Sequence, residues 1–265
     1  MHGLELSMWS RAMVCLFFAA CVCATAVRTG ASGIPNIAPQ EIRRKETADR
    51  MDRRGTRSRS SAITDFSHDM LEPPASVAHL KGFSIAREAP VVDFLVLPVE
   101  PRYQPQPREP DGPVGLWSSW GQGRYWPATG RFYSAIGNHV YYDAAIHMVD
   151  YDPQPKTVKL SPNINTLLGR GPDDFGDGKI HGWVDFCAST SAVMCTYWCK
   201  YPEPTPEQFE SGYEGGAAFI YDVTSGKLDN LGVPIPRTSY PYHRFDSRRG
   251  LLYGVGVRHE FLVYD

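Results

Sequence analysis

The sequence predicts an all-β fold built from consecutive quartets of antiparallel strands, and three observations predict it. A hairpin followed by an apolar run ending in Tyr-Asp recurs three times, at Tyr151-Asp152, Tyr221-Asp222 and Tyr264-Asp265. The turns that open these hairpins also match, since Gly130-Arg131-Phe132-Tyr133 corresponds to Gly250-Leu251-Leu252-Tyr253. The 22 prolines and 24 glycines among 265 residues are too many for a helical chain and mark frequent turns.

Each element follows from these repeats. In the first unit, "GQGRYWPATGRFYSAIG" (121–137) gives strands A and B, and "HMVDYDPQPKTVKLSP" (147–162) gives C and D. The second unit opens on "GDGKIHGWVDF" (176–186), which shares the Gly-x-Gly-basic start, and closes on "GGAAFIYDVTSGKLDNLG" (215–232). The third runs from about Ser239 through "YHRFDSRRGLLYGVG" (242–256) to "EFLVYD" (260–265). Runs such as "GAAFIYDV" lack strict alternation, as expected of a sheet covered on both faces by neighbouring sheets. A sandwich or an up-and-down barrel would alternate more cleanly.

In this pattern the chain resembles β-propeller repeat proteins, over residues 114–265 and without a WD or kelch signature. The resemblance implies a partial β-propeller of four-stranded antiparallel blades, near 121–160, 176–232 and 239–265. Closed propellers use about four to eight blades. The expectation is therefore the front part of a longer propeller, with missing blades or another chain needed to close it. The apolar run at 91–99, with Pro98 near its end, reads as a strand, of the kind a last blade takes up from elsewhere in the chain.

Ahead of the repeats, residues 1–26 read as a secretory signal peptide: Arg11, an apolar stretch from Ala12 to about Ala24, and small residues at Ala24 and Ala26. That stretch is shorter than the ~20 apolar residues of a membrane span. Lipid attachment at Cys21 is the rival reading. Residues 27–113 form a mostly disordered linker, because "EIRRKETADRMDRRGTRSRS" has no apolar stripe to bury. The expected location is extracytoplasmic, secreted or periplasmic. A net charge of −2 gives no bulk attraction to nucleic acid or membrane.

Three of the six cysteines, Cys187, Cys195 and Cys199, lie outside the signal. Cys187 and Cys195 either bridge across a hairpin or, with Cys199, serve as small buried hydrophobes. Neither spacing gives the paired C-x-x-C of a structural zinc site.

In a propeller the D-to-A and B-to-C connections share the upper face, and here those are the long, polar ones. They gather Trp117, Trp120, Asn138, His139, Tyr142, His181, Trp198, Lys200, Tyr213, His243, Arg258 and His259 on one side, as a ligand site requires. Trp117, Trp120 and Trp198 are candidate platforms for sugar rings, with Asn138, Lys200, Arg258 and His259 as polar contacts. His181 and His243 alternatively serve as hydrogen-bonded structural residues, and His139 as a strand cap. No cofactor is expected. Asp173, Asp174 and Asp177 in "GPDDFGDGK" hold the carboxylates a calcium ion takes, but without EF-hand alternation.

Two functions follow. The first is a secreted binding propeller whose upper face holds a carbohydrate, a small polar ligand or a protein. The second rests on a looser resemblance to propeller-type polysaccharide lyases, which implies β-elimination on uronate polymers. His139, His181 or His243 would be the base, Tyr142 or Tyr213 the proton donor, and Lys200 or Arg258 the carboxylate neutraliser. No G-x-S-x-G elbow, H-E-x-x-H helix or phosphate loop followed by a helix is present.

Overall fold

The structure is a computed structural model that describes residues 49–51, 55–59, 62–66, 71–82, 84, 86–98, 116, 119–120, 122–198 and 203–265. The expected signal peptide at 1–26 with Cys21, and Trp117, Cys199 and Lys200, lie outside the described residues. The first strands are β1 (Asp49–Met51), β2 (Arg57–Arg59), β3 (Ala62–Phe66) and β4 (Val91–Leu95). Then come β5 (Arg124–Trp126), β6 (Arg131–Gly137), β7 (Ile146–Asp152) and β8 (Thr157–Leu160), followed by β9 (Asp185–Phe186), β10 (Ser191–Cys195), β11 (Ala218–Asp222) and β12 (Leu228–Gly232). The last three are β13 (Tyr242–Asp246), β14 (Leu251–Val255) and β15 (Phe261–Tyr264). Two short helices, α1 (Ile164–Leu167) and α2 (Pro206–Glu210), occupy connections; α2 is closed by a Thr205–Gln208 capping box. No helix among the described residues is long and apolar enough to cross a membrane.

All pairings are antiparallel and mostly between consecutive strands. The second sheet runs β12-β11-β10-β9 and the third β13-β14-β15. The first contains the expected quartet β5–β8, continued past β8 by two more strands in the order β1-β2-β8-β7-β6-β5. Residues expected to be linker thus supply backbone partners to the edge of β8, a role that needs no apolar stripe. The run read as a strand at 91–99 forms β4, paired with β3.

Period-2 alternation splits β10 between two cores. Ala192 and Met194 face the first sheet, packing with Tyr133, Ala135, Ile146 and Met148. Val193 and Cys195 face the third, packing with Tyr240, Leu252 and Leu262. The middle sheet is apolar on both faces because both are covered. The first sheet's other face, with Ile136, Ala145 and Leu160, is covered by Leu97 and Leu116. Burial of each large side chain here, Phe219 or Met148 for example, stabilises by about 1.5–3 kcal/mol.

The recurring Tyr-Asp pair closes turns. Asp152 Oδ1 accepts from Gln154 N at 3.0 Å, and Asp222 Oδ1 accepts from Thr224 N at 3.0 Å and Ser225 N at 2.6 Å. Asp246 does the same in an A-to-B turn, accepting from Arg248 N at 2.9 Å.

Cys187 and Cys195 are free thiols, so the bridge expected as one possibility is absent. Cys187 N donates to Ser191 O across the β9–β10 turn, while Cys195 lies four residues further along β10. That is about 13 Å of strand, well beyond disulfide reach. Buried against the third sheet, the Cys195 thiol has its pKa pushed up by desolvation.

Candidate functional site

The first strands of the three sheets lie side by side. Gln122, just before β5, accepts Val184 N on its carbonyl and donates its amide to Ile180 O at 3.0 Å. Trp183 N reaches His243 O in β13 at 3.5 Å. Asp185 of β9, 1% exposed, is held by Arg124 of β5 at 2.6 Å and Arg244 of β13 at 3.1 Å. This lock fixes the relative height of the three sheets, and with it the segments at one end of these strands.

At that end five segments meet, carrying Trp120, His139, Lys179 with His181, Tyr197 and Tyr242. Trp120 is held by its backbone N–H donating to Gln122 Oε1 at 2.6 Å, and its ring is 50% exposed. His139, at φ 59°, donates its backbone N–H to Gly178 O and stacks on Trp120 at 6.0 Å and 17°. The indole Nε1–H reaches His139 Nε2 at 3.3 Å, which makes that nitrogen the acceptor. The approach requires Gly137, where an added Cβ would lie 1.9 Å from Gly178 O.

Lys179 is buried at 4% exposure, its backbone bridged to Tyr197. Its ammonium sits 4.3 Å from the Trp120 ring centroid and 5.0 Å from that of Tyr197, within cation–π range of both. His181, two residues on, contacts Trp120 at 5.2 Å, Tyr197 at 5.7 Å and Tyr242 at 5.4 Å. His181 Nδ1 lies 2.7 Å from Pro241 O. A carbonyl only accepts, so Nδ1 carries the proton and Nε2 keeps its lone pair in the neutral ring. Burial, assisted by the Lys179 charge and opposed by the Pro241 bond, holds its pKa below the ordinary histidine value.

Of the residues singled out from sequence, Trp120, His139 and His181 come together. Others belong to the packing. His243 is 2% exposed between the second and third sheets, its Nε2 3.0 Å from Trp183 O, with Gly182 leaving room for its ring. Trp198 and Tyr213 are buried with Phe175 in a separate aromatic cluster. Asn138 closes its own loop, donating to Asp143 O and accepting from Ala145 N, both at 3.0 Å.

The remainder are exposed and elsewhere. Tyr142 touches Phe175 edge-on. Arg258 pairs with Glu203 at 2.9 Å, and His259 occupies a turn at φ 73°. The aspartates read as a calcium possibility do not converge. Asp177 is 0% exposed and its carboxylate accepts from Arg170, from Thr196 Oγ1 at 2.6 Å and from Tyr213 OH at 2.6 Å, while Asp174 caps Gly171 N. Among the described residues no three His, Cys, Asp or Glu side chains are placed to hold a metal ion.

Lys179, Tyr197 and Tyr242 complete the cluster and were not singled out. Lys179 and His181 are spaced i, i+2 around Ile180, a polar-apolar-polar signal available in "GKIHG". The arrangement offers an exposed indole, a cation beneath it and an imidazole with a directed lone pair. No protein-family model matches this chain, and no curated protein matches it.

Proposed function

We propose that this chain is an exported β-propeller-type binding protein whose upper face, centred on Trp120, holds an acidic carbohydrate. The propeller reading is supported by the sheet order, each sheet covering the next, and by the adjacency of β5, β9 and β13, the first strands of each. The single observation that carries the ligand reading is Trp120. Its half-exposed ring is positioned by Gln122, flanked by His139 and His181, and charged from beneath by Lys179. An indole face stacks on the apolar C–H surface of a sugar ring, and a neighbouring cation pairs with a uronate carboxylate.

One observation favours a second reading, β-elimination by a polysaccharide lyase. His181 is held with Nδ1 on Pro241 O and a depressed pKa, so at neutral pH it presents the lone pair a general base needs. In that reaction His181 Nε2 takes the proton beside the carboxylate, Lys179 offsets the enolate charge, and Tyr197 or Tyr242 donates to the leaving oxygen.

Titration calorimetry of the full chain with trigalacturonate and its methyl ester tests both. The binding reading expects preference for the acid and a loss of about tenfold or more in Trp120→Ala. Equal affinity for the two sugars, or an unaltered Trp120→Ala, overturns it. The lyase reading further expects an ultraviolet-absorbing unsaturated product that disappears in His181→Asn while binding persists; no product from the wild type removes that reading.

A further inference from the structure

Below the Trp120 cluster the same three strands carry a second set of aromatic and cationic side chains. Trp183 stands two residues beyond His181, past the bend at Gly182 and just ahead of β9, with its backbone N–H on His243 O of β13. It is 42% exposed, and the Arg244 guanidinium lies 4.5 Å from its ring centroid. Arg244 stands two residues beyond Tyr242, itself in contact with His181. The segment from His181 to Trp183 that leads into β9 therefore runs beside the step from Tyr242 to Arg244 in β13.

The charge of this ridge is positive. Arg124 and Arg244 share one carboxylate, Asp185, whose other neighbour is the backbone N–H of Phe245 at 2.9 Å. Two guanidiniums on one acid leave a net cation. Arg244 engages Asp185 through Nε, and its side chain is 54% exposed beside Trp183. An exposed aromatic ring with a guanidinium stacked on it repeats the chemistry of Trp120 with Lys179, one strand step away.

Resting on the acidic-carbohydrate reading of the Trp120 cluster, we propose that the Trp183–Arg244 ridge is a second subsite of the same groove. It takes a further acidic sugar of one polymeric chain, so the ligand is a polyuronate rather than a single sugar or a short terminal unit. Trp183 supplies the stacking face and Arg244 the carboxylate contact.

The test compares trigalacturonate with a nonagalacturonate on the full-length protein, in wild type, Trp183→Ala and Arg244→Gln. Trp183 is exposed, so its truncation leaves the core intact; Arg244→Gln checks the charge separately, with thermal unfolding confirming that both variants fold. The expected result is wild-type binding of the nonamer about tenfold or more tighter than the trimer, with Trp183→Ala abolishing that gain and leaving trimer affinity unchanged. Equal wild-type affinity for both lengths overturns the second subsite while sparing the Trp120 reading. So does a Trp183→Ala loss that is the same for both lengths. Failure of both oligomers to bind overturns the two readings together.

Discussion

His243 is a neutral imidazole because the Trp183 carbonyl beside its Nε2 does not offset the cost of burying a charge. Its ring is enclosed between the second and third sheets, its Nδ1 has no hydrogen-bond partner, and desolvation lowers its pKa to about 4, with the His181 and Arg244 charges acting in the same direction. In the unfolded chain the value returns to about 6.5. Between these pH values the unfolded state binds more protons, so stability rises with pH across the window and is lost as pH falls below about 6.5. Acidification from pH 7 to pH 5 is expected to cost about 2 kcal/mol through this group. Urea unfolding at the two pH values measures it, and His243→Gln should flatten the difference; an unchanged slope in that variant would assign the acid sensitivity elsewhere. His243 also marks the limit of what the sequence makes legible. Its place on the first strand of a repeat was readable, but its phase was not: Tyr242, one residue earlier, faces the cluster, as Tyr197 does beside buried Trp198. A one-residue slip turns a strand over, and where both faces are apolar no alternation reveals which side is which.

Strands and turns were far more legible, because their chemistry is local. The Tyr-Asp repeat announced a strand end, and the Asp closes the turn that follows. Asp222 gathers the backbone of Thr224 and Ser225, the Ser225 hydroxyl at 2.8 Å and, on its other oxygen, Thr190 Oγ1 at 2.5 Å from the neighbouring β9–β10 turn. Asp222→Ala removes acceptors for all four donors and is expected to lower stability by about 1–3 kcal/mol. Asp222→Asn, which keeps the acceptor oxygen toward the turn, should recover most of that loss in a denaturation series. If Ala and Asn behave alike, the turn bonds contribute nothing. Non-local pairing left no such trace: β1 and β2 are three-residue strands with four charged residues between them, and they join the first sheet because β8 presents an edge to β2 and β2 in turn to β1. The convergence of Trp120, His139, Lys179, His181, Tyr197 and Tyr242 is likewise a product of five separate segments, all but Tyr242 in connections, and was only half readable from any one of them.

At the scale of the whole molecule, the sheets differ in how much of each is covered. The middle sheet is packed on both faces, and the first has Leu97 and Leu116 over its far side. The third buries Leu252 and Leu262 inward, whereas Tyr242, Val255, Phe261 and Val263, on its opposite face, are 60%, 42%, 67% and 51% exposed. Register aligns them into rows, Tyr242 beside Val255 beside Phe261, with Tyr253 beside Val263. Among the described residues of this 265-residue chain β15 pairs only with β14, so its outer backbone groups are a template for another strand, whether of the same protein or of a second copy. An apolar face next to an open edge favours self-association through this sheet. The expected behaviour is concentration-dependent growth in particle size by light scattering. Phe261→Lys with Val263→Glu should suppress it, because charges on the face oppose stacking while Leu262 still fills the core. The same pair should leave trigalacturonate affinity unchanged, since neither residue touches the Trp120 cluster. Association that persists undiminished in the double variant would place its origin on a different surface.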